Sequence, residues 1–370
     1  MRTKTTLRRA GRLLAPLALT LAVTAPVAQA TPATDATTWI GGQLTGTPTP
    51  DHFDSFGSPD VGLTIDGNAA FYVAGATYAS QQAATATWIE SRTETYSGGG
   101  TCSGTPTGTL RAGAVAKLAY SAIINGRDPR RFGPSNRNLI ADLECLQTAA
   151  GRYADQATPD YSNTFTQSLA LLVLKKADPT YRNANGSTLA TGASYLVASQ
   201  CTRSPYVGAY RSELGGSTTA CNNLPPYDPS RTPPDNANGV DVDSTGLAVG
   251  SLYAEGSRGS RTSAALAGVW LVGQASSSSS PARLWWRSYC DFANPTTSYA
   301  SVNSTALAVM GYVELGIAIT AAQNWLADTV NGGPDNGMPA CTASGAGDVR
   351  ATVQGIPALL GLSYADILGV

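Results

Sequence analysis

Histidine is nearly missing from this 370-residue chain, which holds one, His52, and only 13% of its residues are charged. A lone histidine argues against zinc sites built on imidazole and against a Ser-His-Asp arrangement. His52 stands beside Asp51 and reads as a solvent-exposed loop residue. The basic residues form no cluster in the body of the chain, which excludes nucleic acid as a natural partner. No Gly-x-Ser-x-Gly elbow, phosphate loop or metal-ligand cluster is present. The stretch from Asp235 to Asp243 is rich in carboxylates and amides but lacks the spacing of a calcium loop, so it reads as a solvated linker.

Long apolar runs are also absent, with one exception. Residues 1–30 carry Arg2, Lys4, Arg8, Arg9 and Arg12, then an apolar run from Leu13 to Val27, then Ala28-Gln29-Ala30. A basic start, a short apolar stretch and a small-x-small end describe a secretory signal peptide, too short for a membrane span. The expected product is therefore secreted, without an integral membrane segment, and comprises residues 31–370. Removing the leader takes five of the 24 basic residues and none of the 25 acidic ones, leaving a net charge of −6.

Six cysteines lie in that mature part. An even number in an oxidising compartment reads as three disulfides, and six cysteines allow fifteen pairings. Pairing between sequence neighbours is expected: Cys102–Cys145, Cys201–Cys221 and Cys290–Cys341.

The dominant positive signal is repetition. A bulky apolar residue followed four places later by Gln or a substitute recurs as Trp39…Gln43, Trp88…Arg92, Leu143…Gln147, Leu196…Gln200, Trp270…Gln274 and Trp325…Thr329. The copies lie 49, 55, 53, 74 and 55 residues apart, a period that marks stacked supersecondary units. Out of phase with them run Ala/Leu/Val-rich segments that begin near Asp60, Leu110, Asp160, Asp241, Ser301 and Asp348. Polar openers and the stops at Gly75, Gly126, Gly256 and Gly316 bound helices of about fourteen to sixteen residues, with the outer helices expected to be shorter. A helix pair cannot bury its apolar face alone, so the pairs must stack. The first unit supplies only an outer helix (Thr37 to Leu44) and the last only an inner one (Asp348 to Tyr364). Joining these two closes an all-α (α/α)6 toroid around a central cavity, as one domain over residues 31–370. Ser276 to Ser280 reads as low-complexity rim connection, and the insertion holding Cys201 and Cys221 as a stapled rim loop able to cover the cavity mouth.

This pattern, with Asn331-Gly332-Gly333 after Trp325 and the opening Asp241-Val-Asp-Ser-Thr, resembles the terpenoid cyclase and protein prenyltransferase α/α-toroid superfamily. The chain lacks the zinc ligands of the prenyltransferases. In class II cyclases an Asp-x-Asp-Asp acid protonates an alkene; here Ser244 takes the fourth position, and a cyclase reading would make Asp241 and Asp243 catalytic. Local detail is nearest to the secreted transcobalamin and intrinsic factor branch. Asp243-Ser-Thr-Gly-Leu-Ala, Ser301-Val-Asn-Ser-Thr-Ala-Leu-Ala and Asn163-Thr-Phe-Thr-Gln-Ser-Leu-Ala170 are similar to stretches of those carriers. That resemblance implies binding of a corrinoid such as cobalamin without turnover and with no required cofactor or metal. It implies a ligand-facing set of Asp66, Lys117, Asn163, Phe165, Gln167, Asp241, Asp243, Ser301, Asn303 and Arg350. The carriers' C-terminal lid domain has no counterpart, so a separate lid or transporter protein is an expected partner.

Each polar residue at an inner-helix start also has a plainer role as an N-cap, worth about 1 kcal/mol. Asp60, Asp160 and Asp348 fit that role; Asp243 and Asn303 stand two residues further in, where they face a cavity mouth. A third reading is a polysaccharide-active (α/α)6 hydrolase or lyase. It would draw two carboxylates about 5 to 9 Å apart from Asp54, Asp60, Asp66, Asp160, Asp241, Asp243 and Asp348, with Trp285, Trp286 and Tyr289 as a loop platform for sugar.

Overall fold

A computed structural model describes residues 30–100, 102, 109–214, 221, 240–288, 299–341 and 345–370. In chain order its helices are α1 (Ala30–Gly41), α2 (Val61–Ala74), α3 (Ala79–Ser91), α4 (Thr93–Ser97), α5 (Ala112–Ile124), α6 (Leu139–Leu146), α7 (Thr164–Ala177), α8 (Leu189–Ala198), α9 (Val242–Glu255), α10 (Arg258–Gln274), α11 (Val302–Glu314), α12 (Thr320–Asn331), α13 (Val349–Leu359) and α14 (Tyr364–Leu368). Around the axis α2 packs on α5, α5 on α7, α7 on α9, α9 on α11, α11 on α13, and α13 returns to α2. The toroid therefore closes. The closing pair is α1 with α13, the two half-units expected from the sequence.

Caps set where the inner helices begin. Asp60, Asn163, Asp241, Ser301 and Asp348 each accept a main-chain N–H three residues on. The third inner start is thus capped by Asn163 and not by Asp160, whose carboxylate instead takes the Asp155 and Ser162 amides and pairs with Arg152. For α5 the cap position is Arg111, which has no suitable oxygen; Asp155, from the following connection, accepts the Ala112 amide at 2.7 Å in its place. Gly75 and Gly256 sit at C-caps, and Gly126 and Gly316 follow one residue later with positive φ. The inner helices run 11 to 14 residues. The outer ones are not uniformly shorter, because α10 reaches 17.

Immediately after the caps the units share one device. The fourth residue beyond the cap accepts the main-chain N–H of a buried bulky residue in the incoming connection: Thr64 from Phe53, Gln167 from Tyr153, Thr245 from Tyr210, Thr305 from Trp286 and Thr352 from Met338, at 2.9–3.0 Å. The outer-helix mark has a related origin. Gln147 and Gln200 close those helices by bonding to the Thr188 carbonyl and to the Gly208 and Ser263 carbonyls, so each anchors the next connection. Of the tryptophans of the mark, Trp88, Trp270 and Trp325 are buried and Trp39 is partly buried.

Two small sheets interrupt the helical pattern. β1 (Asp54–Ser55) and β2 (Ser58–Pro59) form a hairpin before α2. β3 (Ser276–Ser279), β4 (Ala282–Ser288) and β5 (Tyr299–Ser301) form an antiparallel sheet between α10 and α11. The serine run is thus a strand and not an irregular connection. Disulfides join Cys102 to Cys145 and Cys201 to Cys221. Cys290 lies outside the described residues, so its expected bond to Cys341 does too, as does most of the stapled loop (215–220 and 222–239) and the leader up to residue 29.

The hollow expected at the centre is filled at its far end. After Leu359 the chain turns through Gly361 (φ +68°) and α14 packs across α5, α7, α9 and α11. Tyr364 meets Tyr120 edge-on at 5.7 Å, Ser363 bonds to Glu314 at the end of α11, and Lys176 reaches the Gly369 carbonyl. A cavity among Leu172, Gly250, Met310 and Tyr364 has a volume of about 10 Å³, room for about one water molecule.

Close approach of α9 and α11 holds that wall: a Cβ on Gly246 would lie 2.4 Å from the Leu307 carbonyl oxygen, whereas one on Gly250 would meet nothing within 4 Å. Gly246→Ala should therefore cost roughly 1–3 kcal/mol in urea unfolding, while Gly250→Ala should gain up to about 1 kcal/mol from helix propensity. Equal effects at the two positions would contradict this packing.

Candidate functional site

The inner helices all start at the same face. Arg350 at the start of α13 pairs with Asp60 at 3.2 Å, a Cβ on Gly113 would lie 2.8 Å from Thr166 Oγ1, and Asp243 and Ser304 interact across α9 and α11. One residue per helix, two places beyond the cap, marks the rim of this mouth: Gly62, Gly113, Phe165, Asp243, Asn303 and Arg350. Apart from the buried Gly62 these positions are half-buried or exposed. Below them the mouth is polar on one side and apolar on the other, with Asp66 and Lys117 on α2 and α5, and Leu247 and Leu307 on α9 and α11.

The first pole of the mouth is an ion pair. Lys117 Nζ donates to both Asp66 oxygens at 2.8 and 2.9 Å and to the Gly62 carbonyl at 3.1 Å. Burial works to lower the Lys117 pKa, but the Asp66 carboxylate and the Tyr96 phenol outweigh it and leave the ammonium above its ordinary value. Burial raises the Tyr96 phenol. The hydroxyl of Tyr96 fills the space beside Gly62, where a Cβ would lie 2.9 Å away.

The second pole, on α9, opposite α2 in the ring, is an acid pair. Asp241 accepts from the Ser244 amide at 2.6 Å and from its hydroxyl at 2.9 Å. Even so, burial and the neighbouring Asp243 carboxylate push Asp241 up to about 7. Asp243 is raised by burial as well; the buried Ser304 hydroxyl stands against it and opposes the rise, though it makes no hydrogen bond of good geometry. Two carboxyls sharing a partly dry site cannot both ionise cheaply, so the pair retains a proton up to about neutral pH.

The remaining expected ligand residues divide. Phe165, Asn303 and Arg350 stand at the mouth, and the Asn303 side chain makes no hydrogen bond among the described residues. Gln167 does not face the mouth: it is fully buried, and its amide takes the Tyr153 N–H and donates to the Gly151 and Gly192 carbonyls. Asn163 and Ser301 are occupied as caps. The carrier-like Ser-Thr-Gly-Leu-Ala, Ser-Thr-Ala-Leu-Ala and Thr-Gln-Ser-Leu-Ala stretches thus contain the clamping residues Thr245, Thr305 and Gln167. Their similarity falls in part on residues that fasten the fold. The cavity among Leu172, Gly250, Met310 and Tyr364, about 10 Å³, is itself far below the roughly 300–1,000 Å³ of an enclosing ligand site.

Other expectations also change. Trp286 is fully buried, its indole donating to the Leu271 carbonyl, and Trp285 stacks on Trp325, so they form no sugar platform on a loop; Tyr289 lies outside the described residues. His52 is packed and not solvent-exposed, stacked on Trp88 at 4.6 Å with Asp51 and Asp54 on its two ring nitrogens. No group of three or more metal-binding side chains occurs among the described residues, and no helix there is long and apolar enough to cross a membrane.

Comparison with known proteins places this architecture. No family model and no curated protein matches the chain. Among solved structures, an inactive variant of an α-1,6-mannanase from Salegentibacter, captured with α-1,6-mannotriose, superposes with a TM-score of 0.59 at 9% identity, over 92% of this chain and 99% of that one. The likeness is one of fold. A protein from Actinoplanes gives 0.56 at 14% identity, over 90% and 99% of the two chains. The unsaturated glucuronyl hydrolase of Bacillus sp. GL1, responsible for glycosaminoglycan degradation, gives 0.52 at 12%, over 90% and 94%. The named enzymes among these toroids are glycosidases and not cyclases, prenyltransferases or cobalamin carriers.

The raised acid pair has a consequence for stability. Its folded pKa lies above the unfolded value of about 3.9, so the native state binds more protons between about pH 4 and pH 7 and stability falls as pH rises through that window. Asp243→Asn removes the repulsion and should flatten the slope, gaining on the order of 1–2 kcal/mol at neutral pH after allowance for solvent screening. Thermal unfolding of both proteins across that range checks it, and parallel curves would show that the pair is not strained.

Proposed function

We propose that this chain is a polysaccharide-active α/α-toroid hydrolase that works at the open, N-terminal mouth of its ring. The observation that carries the reading is the Asp241/Asp243 pair, a carboxylic acid that keeps its proton near neutral pH at the start of an inner helix. Glycoside hydrolysis needs such an acid to protonate the leaving oxygen, and a second carboxylate across the scissile bond. In this reading Asp243, with Asp241 as its charge partner, donates the proton. Asp66, on the opposite helix and oriented by Lys117, receives the proton of the attacking water. Protonation of the glycosidic oxygen breaks the C–O bond as the water oxygen bonds to the anomeric carbon, so no cofactor is consumed. Asn303 and Arg350 lie at the same rim and supply hydrogen bonds to sugar hydroxyls. The toroid fold shared with an α-1,6-mannanase and an unsaturated glucuronyl hydrolase supports the same reading.

Reducing-end release from α-1,6-mannan, β-glucan and unsaturated uronide oligosaccharides tests it. Activity should fall as pH rises through about 7, where the acid loses its proton. Asp243→Asn should lower kcat by roughly 100- to 10,000-fold while leaving the melting temperature unchanged or higher. Turnover that persists in that variant, or a rate indifferent to pH through the neutral range, would remove the acid pair from the chemistry.

A further inference from the structure

The mouth carries exposed aromatic side chains that the fold does not use. Phe56 occupies the tip of the β1–β2 hairpin, four residues before the Asp60 cap, and is 100% exposed. Its φ is +52°, a left-handed conformation that a bulky residue adopts only under strain. Glycine at this tip would relieve both the strain and the exposed apolar surface, and Gly57 beside it already has φ +76°. Phenylalanine here therefore costs the fold twice, and no contact within the described residues compensates for it.

Tyr161, 72% exposed, is the second such residue. It precedes the Asn163 cap of α7, in a connection drawn over the start of α5: Asp155 accepts the Ala112 and Tyr161 amides, and the Gln156 amide bonds to the Leu110 carbonyl. Phe165 follows in the first turn of α7, half-buried. Phe56, Tyr161 and Phe165 thus occupy consecutive sectors of the rim, from α2 past α5 to α7, and the next sector is α9 with Asp241 and Asp243. Among the described residues, the aromatics and the acid pair fall in successive sectors, an arc from α2 to α9.

We infer that this arc is an extended subsite for a polymeric glycan, with sugar rings stacked on Phe56 and Tyr161 and the reacting unit between Phe165 and Asp243. The inference rests on the hydrolase reading and names the residues that would hold the polysaccharide beyond its reacting unit. Phe56 stands four residues before the Asp60 cap and Asp66 six residues beyond it, about 9 Å down the helix from that cap. One sugar ring held at the acids therefore does not also cover the Phe56 hairpin, and those residues are reached only by a chain. Apolar sugar faces match an exposed aromatic that has no other partner, as rigid aromatic anchors do at other interfaces.

Affinity electrophoresis in gels containing α-1,6-mannan or β-glucan, together with hydrolysis of aryl monoglycosides, tests this arc. The Phe56→Ala/Tyr161→Ala protein should lose retention by about tenfold while its turnover of the aryl glycoside stays at the parental level. Phe56→Gly should weaken retention and at the same time raise the melting temperature, a combination that a structural role for Phe56 would not produce. Unchanged retention of the double variant would overturn the arc while leaving the hydrolase reading in place. A parent protein retained by neither polysaccharide would also overturn it, and one that in addition cleaves nothing would overturn the hydrolase reading.

Discussion

The ring depends on the first turn and a half of each inner helix. There the cap residue satisfies a free amide of the helix, and four places on a threonine or glutamine takes the amide of a bulky residue arriving from the outer layer. The second bond ties connection to helix and sets that bulky side chain, Phe53, Tyr153, Tyr210, Trp286 or Met338, into the core between layers. A buried main-chain N–H without a partner would cost a few kcal/mol, so five sectors repeat the same solution. The α5 sector has Val115 at the clamp position and Arg111 at the cap, and there Asp155 reaches across from the next connection. Residues that look like a ligand set in the sequence are, in several cases, the fasteners of the fold.

With those groups occupied, the uncommitted polar side chains are those just beside them. Two residues past each cap the side chain stands at the mouth, where six helix starts converge and their partial positive charges favour anions. Asp243 takes this position on α9, next to the Asp241 cap, and burial wins over the helix field for the pair. The Asp66–Lys117 pair, on the other side, is deep enough to be water-poor yet internally neutral. The mouth thus holds a raised acid pair and a fixed carboxylate on opposite helices, with α14 across the far end of the ring.

Much of this was legible in the chain. The period of the Trp and Gln marks, the out-of-phase apolar segments and the half-units at either end lead to a closed α/α ring, because amphipathic helix pairs have few ways to bury their faces. Asp243 and Asn303 were legible as mouth residues from their offset from the caps, Phe165 and Arg350 only through the resemblance, and two disulfides from sequence proximity. Gln167 and Trp286 were misread for one reason: an amide or an indole in a polar-looking stretch gives no sign in one dimension of whether its partner is a ligand or a distant main-chain group. Phe56 passed unnoticed because its signal is a backbone angle and a full exposure, and neither is written in residue type.

The sequence by itself therefore determined the architecture, the order of inner and outer helices and the places where inner helices begin, since these follow from local periodicity and capping chemistry. Only the tertiary structure decided that α14 folds across the far end of the ring, and which polar residues stand at the rim and which fasten the fold. It also decided that Asp241 and Asp243 are raised above the ordinary carboxylate range. Those outcomes depend on which side chains meet across helices dozens of residues apart, on how α14 folds back under the ring, and on how much water is left around two carboxyls.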